Sequence, residues 1–140
     1  MESNVVATFS IFAAMDKEAD DYKWYRSEEA GHDVGEPAVR EWVRKHWNSF
    51  LRTRWLEHLE GKRFWLELDR GDFGLIKKRF QDDEVQSLLL DRILDRLKVL
   101  QENLNIILWA CDWGLNLAAV RHILEVIDIN SRRIVHRFDA

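Results

Sequence analysis

Three neighbouring side chains, Glu29, His32 and Asp33, form the candidate metal site of this sequence. Carboxylate and imidazole groups are among the common metal ligands in proteins. Glu29 and His32 are three positions apart, and this spacing places two side chains on the same face of a helix. The chemistry that the pattern indicates is metal binding, which is the third of three functional hypotheses for the chain.

The same stretch resembles two families of helical metalloproteins. The spacing Glu29-x-x-His32 is similar to that of the ferritin-like di-iron bundles, which use two such pairs and two further glutamates, whereas this chain has one pair. The six residues His32-Asp33-Val34-Gly35-Glu36-Pro37 resemble the His-Asp core of the HD-domain phosphohydrolases. That resemblance implies that His32 and Asp33 bind a metal ion and that the chain is a degenerate phosphohydrolase.

A basic segment at residues 62–80 is the candidate nucleic-acid site. It contains six basic residues against three acidic ones, and aromatic side chains lie among them, as a surface that stacks on bases requires. The same charges also fit a solvated basic linker that faces an acidic partner or the acidic residues 16–36. The residues of this second hypothesis are Lys62, Arg63, Trp65, Lys77, Lys78 and Arg79.

The rest of the sequence offers no catalytic signal. It has no Gly-x-Ser-x-Gly elbow and no phosphate-binding glycine loop, so we expect neither enzyme activity nor a cofactor. The single cysteine, Cys111, excludes an intramolecular disulfide and is predicted to be a buried thiol. The balance of 21 basic and 25 acidic residues disfavours a dedicated duplex-DNA binder. Without an apolar run long enough for a bilayer, or a basic region before the apolar residues 5–15, we predict a cytoplasmic protein.

Seven tryptophans in 140 residues are the strongest signal for protein association. Tryptophan is enriched at interfaces because it buries a large area at a small cost in entropy. Trp109 falls on the charged side of its predicted helix, where either the N-terminal segment or a partner must cover it. We predict one self-association surface formed by Leu94, Leu108, Trp109 and Trp113, and a second surface formed by Trp47, Trp55 and Arg52.

The elements that must position these residues are helices. One proline and six glycines leave little material for a turn-rich β fold, so the predicted fold is all-α. It is a compact bundle of four or five helices in a single domain of 140 residues. Its parts are an N-terminal helical arm and loop (residues 1–35), a tryptophan-rich long helix (36–61), a basic linker with a short helix (62–80), and an antiparallel helical hairpin (82–138).

The C-terminal hairpin has the clearest periodicity. Between residues 82 and 114, apolar side chains recur at alternating spacings of three and four, which predicts one continuous helix with a buried heptad stripe. Gly114 ends that helix, and Asn116 caps a second helix with the same pattern. The two stripes are Leu90, Ile93, Leu97, Leu100, Leu104, Ile107 and Cys111, and then Leu117, Val120, Leu124, Ile127, Ser131, Ile134 and Phe138.

These features favour a non-enzymatic, cytoplasmic helical interaction module. It would form a homo-oligomer, bind another protein, or both, in a regulatory or scaffold role. The alternative is a nucleic-acid accessory protein that uses residues 62–80. The third hypothesis is the helical metalloprotein or degenerate phosphohydrolase.

Overall fold

The computed structural model describes residues 8–80 and 82–128 and is predominantly helical, which confirms the all-α prediction. None of the helices in these ranges combines the length and the apolar character that a membrane crossing requires. The described helices are α1 (Ile11–Ala30), α2 (Glu36–Leu59), α3 (Leu75–Phe80), α4 (Glu84–Lys98), α5 (Asn103–Asp112) and α6 (Leu117–Ile127). Two short strands, β1 (Thr8–Phe9) and β2 (Phe64–Trp65), pair in parallel.

α1 begins at a junction that was not predicted. Residues 8–9 were expected to be helical, but they form β1, and Ser10 becomes the N-cap of α1. The carboxylate of Glu67 accepts hydrogen bonds from the Ile11 N–H at 2.7 Å and from the Ser10 hydroxyl at 2.6 Å. The first N–H groups of a helix have no partners within the helix, so a carboxylate at this position supplies an acceptor and a favourable charge. Glu67 therefore joins the basic segment to α1.

α2 is the central helix and occupies the residues predicted for the tryptophan-rich helix. Pro37 lies in its first turn, where a missing N–H costs nothing. The helix contacts α1, α3, α4 and β2, so it buries side chains on more than one face. Those side chains are Ala38, Trp42, Val43, Trp47, Phe50, Leu51, Trp55, Leu56, His58 and Leu59.

The C-terminal end of α2 is fixed by a fully buried histidine, His58. Its Nδ1 accepts the Trp65 N–H at 3.1 Å, so Nε2 carries the proton and donates it to the Asp69 carbonyl at 2.8 Å. The His58 carbonyl accepts the N–H of Gly74 at 2.9 Å. A Cβ at Gly61 would lie 3.3 Å from the Gly74 Cα, and both residues have positive φ, so glycines are needed where these two segments cross.

The continuous helix predicted for residues 82–114 is wrong, because the chain forms two helices there, α4 and α5. Leu100 lies between them in the left-handed conformation, with φ of 68°. The second helix has its own start signal, in which the Asn105 side chain accepts the Glu102 N–H at 2.9 Å. This contact is one half of a capping box, and it competes with continuation of α4.

The break changes which residues are buried beyond α4. The predicted stripe places Leu104 and Cys111 in the core, but α5 buries Ile106 and Ala110 instead. Leu104 and Cys111 are exposed, so the prediction of a buried thiol is also wrong. The short link turns Leu104 and Cys111 towards solvent, whereas Ile107 stays half-buried against the core.

Leu100→Gly is expected to raise the free energy of unfolding by about 0.5–1 kcal/mol, because left-handed backbone strains a leucine more than a glycine. In a continuous helix the same change would lower stability by about 1 kcal/mol. Urea denaturation therefore distinguishes the two arrangements by the sign of the effect. Val99→Gly is the matched control, since Val99 has a φ of −96° and gains nothing from glycine. A loss of stability in Leu100→Gly would contradict the break.

α6 begins with the predicted signals. Gly114 has a positive φ of 66°, and the Asn116 side chain accepts the Ala119 N–H at 3.2 Å. Part of the second stripe is buried along this helix, at Val120, Leu124 and Ile127. Its remaining members, Ser131, Ile134 and Phe138, and the end of the predicted hairpin lie outside the described residues.

Candidate functional site

α5 presents apolar side chains to solvent on the side away from the core. Leu104 is 66% exposed and Leu108 is 54% exposed, and Cys111 is exposed one turn further along. Positions separated by four and three residues lie on one helix face, roughly opposite the buried Ile106 and Ala110. We call Leu104, Leu108 and Cys111 the α5 outer face.

The α5 outer face lies on a helix that is almost free of charge. α5 contains no lysine or arginine, and Asp112, its last residue, is its only acid. Exposed apolar area costs roughly 25 cal/mol per Å² relative to its burial. Apolar side chains grouped on one exposed face are typical of surfaces that bind a partner. The α5 outer face is therefore the candidate functional site.

Arg52 of α2 holds the start of α5 in place. Its guanidinium donates hydrogen bonds to the carbonyls of Gln101 at 2.9 Å and Leu97 at 3.5 Å. It also forms an ion pair with Glu102 at 2.9 Å, while its own side chain is 13% exposed. The last carbonyls of a helix lack partners within the helix, and a nearby cation is favourable there. Arg52 thus stabilises the break between α4 and α5, and it does not lie on the open second surface that was predicted for it with Trp47 and Trp55.

A groove of about 460 Å³ lies on the opposite flank of α5, against α4. The guanidinium of Arg96 stands 4.0 Å from the ring centroid of Trp109, so a charged residue of α4 covers one face of this half-buried ring. Trp113 and Val99 also line the groove, and both are exposed. None of the residues of the α5 outer face lines this groove.

Three of the predicted interface residues belong to the core. Trp47, Trp55 and Leu94 are only 5%, 2% and 3% exposed, so they cannot form a free surface in this fold. Trp47 and Trp55 are buried because they lie on α2, the central helix, which has neighbours on several sides. Leu94 is one of the residues that α4 buries. Leu108 and Trp113 are exposed as the predicted surface requires.

The residues of the nucleic-acid hypothesis are in different environments. Trp65 is 2% exposed, so it cannot stack on a base. Lys62 forms an ion pair with Glu60 at 3.3 Å, and the Arg63 guanidinium lies 4.7 Å from the ring centroid of Phe9. The exposed basic residues of α3 are Lys77, Lys78 and Arg79. The interleaved basic and aromatic surface expected from the sequence is therefore not formed.

The residues of the metal hypothesis each have other contacts. Glu29 lies 3.8 Å from Arg26, the His32 ring bonds the Asp33 carbonyl at 3.1 Å, and the Asp33 carboxylate accepts the Gly35 N–H at 2.9 Å. Over residues 8–80 and 82–128, no group of three or more His, Cys, Asp or Glu side chains is arranged to hold a metal ion. Glu29, His32 and Asp33 are therefore not brought together as a ligand set.

α1 is joined to α2 by a carboxylate with a strongly shifted pKa. The Tyr22 hydroxyl donates a hydrogen bond to Glu41, and Lys45 donates another at 3.0 Å. The bond from Tyr22, and after it the bond from Lys45, lowers the pKa of Glu41 from 4.5 to about 2. The carboxylate is thus charged over most of the acidic range.

The stability advantage of the wild type over Glu41→Gln is expected to shrink as the pH falls from 4.5 towards 2. A group with a lowered folded pKa contributes fully above its unfolded pKa, and its contribution is lost as the pH falls through the folded value. Urea midpoints across this range measure the difference. Glu36→Gln, an exposed carboxylate change on the same helix, is the control. If the urea midpoints of the wild type and of Glu41→Gln changed in parallel with pH, the lowered pKa of Glu41 would be contradicted.

The described chain thus offers two apolar surfaces at α5, the outer face and the groove with Trp113. No protein-family model matches this sequence, and no curated protein or solved structure is significantly similar to it.

Proposed function

We propose that this chain is a non-enzymatic, cytoplasmic helical interaction module that self-associates through the α5 outer face. Two copies would pack α5 against α5 around a two-fold axis between Leu104 and Leu108. The observation that carries the proposal is the exposure of these two leucines, four residues apart on one helix face. The mechanism is burial of apolar area that a single copy leaves in water.

A second copy of the chain fits this face better than a charged partner. In a two-fold interface each surface meets its own duplicate, so like charges near the axis would repel. The α5 outer face has no charged residue, and Asp112 lies at the end of the helix. Like charges therefore do not repel each other at the centre of the interface when two copies associate.

The size of the face predicts a weak dimer. α5 has ten residues. A helix of that length extends over about 15 Å, whereas a standard interface buries about 800 Å² per partner. We expect so short a helix to bury less than that standard area. Because association also costs rigid-body entropy, the expected dissociation constant is in the micromolar range or above.

We also propose that α5 and α6 form the antiparallel hairpin of a helical bundle. A short connection, four residues between Asp112 and Leu117, and direct contact between the two helices support this arrangement. In this arrangement α6 packs on the side of α5 that faces the core, and the α5 outer face stays available to a partner.

The double change Leu104→Gln and Leu108→Gln tests the proposed interface. It is expected to weaken dimerisation at least tenfold, because burying one leucine contributes about 1.5–3 kcal/mol. Analytical ultracentrifugation measures the dissociation constants of the wild type and the variant. Far-ultraviolet circular dichroism shows that the variant keeps its helices, as expected for two exposed positions.

Leu66→Gln and Leu88→Gln are the matched controls, since both leucines are exposed outside α5. Each control is expected to leave the dissociation constant unchanged. A dimer that survives the double change in α5 would overturn the assignment of the interface. A dimer lost in Leu88→Gln but not in the double variant would place the interface on α4 instead.

A further inference from the structure

A second groove, with a volume of about 450 Å³, lies between α1 and α2 and is separate from α5. Four aromatic rings line it, two from each helix. Tyr22 and Tyr25 are three residues apart on α1, and Trp42 and Phe50 are eight apart on α2, so each pair lies along one helix face. The groove is thus a feature of helix packing and is built by both helices.

The floor of the groove is rigid and its edge is open. The rings of Trp42 and Phe50 are almost fully buried and meet edge to face, with centroids 5.5 Å apart. The Tyr22 hydroxyl is held by Glu41, which fixes the position of that ring. Tyr25 is 64% exposed and forms the edge. Volumes of this order are typical of small-molecule sites, which are mainly apolar with a few polar groups.

The charge beside these rings is negative. Glu18 and Asp21 line the same groove, and both are exposed. Residues 16–21 contain four acids and one base, Lys17, which pairs with Asp21 at 3.1 Å. The electron-rich faces of aromatic rings and nearby carboxylates both attract a cation.

One cation already uses this type of contact at the inner end of the groove. The guanidinium of Arg54 stands 4.8 Å from the ring centroid of Phe50. Arg54 is paired with Glu57 at 2.7 Å, so its charge is compensated within α2. The other charged residues that line the groove are Glu18 and Asp21, and both are exposed.

We propose that the groove between α1 and α2 binds a small organic ammonium cation. Its alkyl groups would pack on the exposed ring of Tyr25 and the half-buried ring of Tyr22, above the buried ring of Trp42. Its positive charge would be balanced mainly by Glu18, because Asp21 already pairs with Lys17. An anion would be repelled by these carboxylates, and a neutral ligand would gain nothing from them. The proposal is independent of self-association through α5.

Titration of the full chain with choline chloride tests the proposal, with sodium chloride added to keep the ionic strength constant. The neutral carbon isostere, 3,3-dimethyl-1-butanol, has the same shape without the charge. The Trp42 indole resonance, assigned with Trp42→Phe, reports binding, because Trp42 is the tryptophan that lines this groove. We expect a saturable shift with choline and a weaker response to the isostere. Equal responses, or no saturable response to choline, would overturn the proposal.

Two variants locate the bound cation. Tyr25→Ala and Glu18→Gln change exposed residues of the groove, and each is expected to weaken choline binding roughly three- to tenfold. Their controls are Trp113→Ala and Glu28→Gln, which change an exposed aromatic residue and an exposed acid outside this groove. Choline binding that is unaffected by Tyr25→Ala and Glu18→Gln would overturn the assignment. If a trimethyl-lysine peptide displaces choline and binds more tightly, the ligand of the groove would be a protein side chain. That result would overturn the proposal of a small cation.

Discussion

Replacing His58 with alanine is expected to lower the free energy of unfolding by about 3–5 kcal/mol. The change leaves a cavity among the rings that contact His58 edge-on, Phe64 at 4.9 Å and Phe73 at 5.4 Å between centroids. It also removes the acceptor of the Trp65 N–H and the donor to the Asp69 carbonyl. Equilibrium unfolding in urea measures the loss.

Two further variants separate the hydrogen bonds of His58 from its volume. His58→Leu refills most of the space but restores neither bond, so a loss of about 2–3 kcal/mol should remain. His46→Ala, which changes an exposed histidine of the same helix, is expected to stay within about 0.5 kcal/mol of the wild type. Full stability in His58→Leu would show that the two bonds contribute nothing, contrary to the geometry.

Replacing Arg52 with methionine is expected to cost about 2–3 kcal/mol of stability. Methionine keeps the apolar stem, but the Gln101 carbonyl loses the donor that Arg52 supplies, and Glu102 loses its ion-pair partner. The Leu97 carbonyl keeps the Leu100 N–H and loses only its longer bond from Arg52. Bonds from a charged donor contribute more than neutral ones, and this side chain is nearly buried. Urea denaturation again gives the free energy.

Arg52→Met also tests how the fold supports the proposed interface. Once the start of α5 is no longer held, the α5 outer face loses its fixed orientation, and we expect weaker self-association. Arg44→Met is the control, because Arg44 is exposed on the same helix, and its loss should stay within about 0.5 kcal/mol. If Arg52→Met were as stable as Arg44→Met, Arg52 would not be the residue that anchors the break.

Local patterns predicted most of the helices. α2 follows from an unbroken stretch that starts with a proline in its first turn, and α6 follows from Gly114 and Asn116. Such signals act within a few residues, so they can be read without knowing the rest of the fold. The all-α class rests on the same kind of local information.

Contacts between distant residues could not be predicted in this way. Glu67 reaches Ile11 across 56 positions, and Arg52 reaches Gln101 across 49. The break at Leu100 is stabilised by the second of these contacts and by the start signal at Asn105, while the heptad pattern continues across it. A regular apolar stripe therefore indicated one helix where tertiary contacts form two.

The candidate site was predicted only in part. The sequence predicts Leu108 at a self-association surface, whereas it predicts Leu104 in the core as a member of the stripe. The rotation of α5 after the break reverses the second assignment and exposes both leucines together. The Glu102–Asn105 pair was the sequence signal that could have revealed it.

The mass of the unmodified chain in solution is the most direct test of self-association. Sedimentation equilibrium should be measured with the full chain over concentrations from micromolar to millimolar. We predict a weight-average mass that rises from 16.7 kDa towards twice that value as the concentration increases. A mass that stays at 16.7 kDa throughout would contradict dimerisation through the α5 outer face.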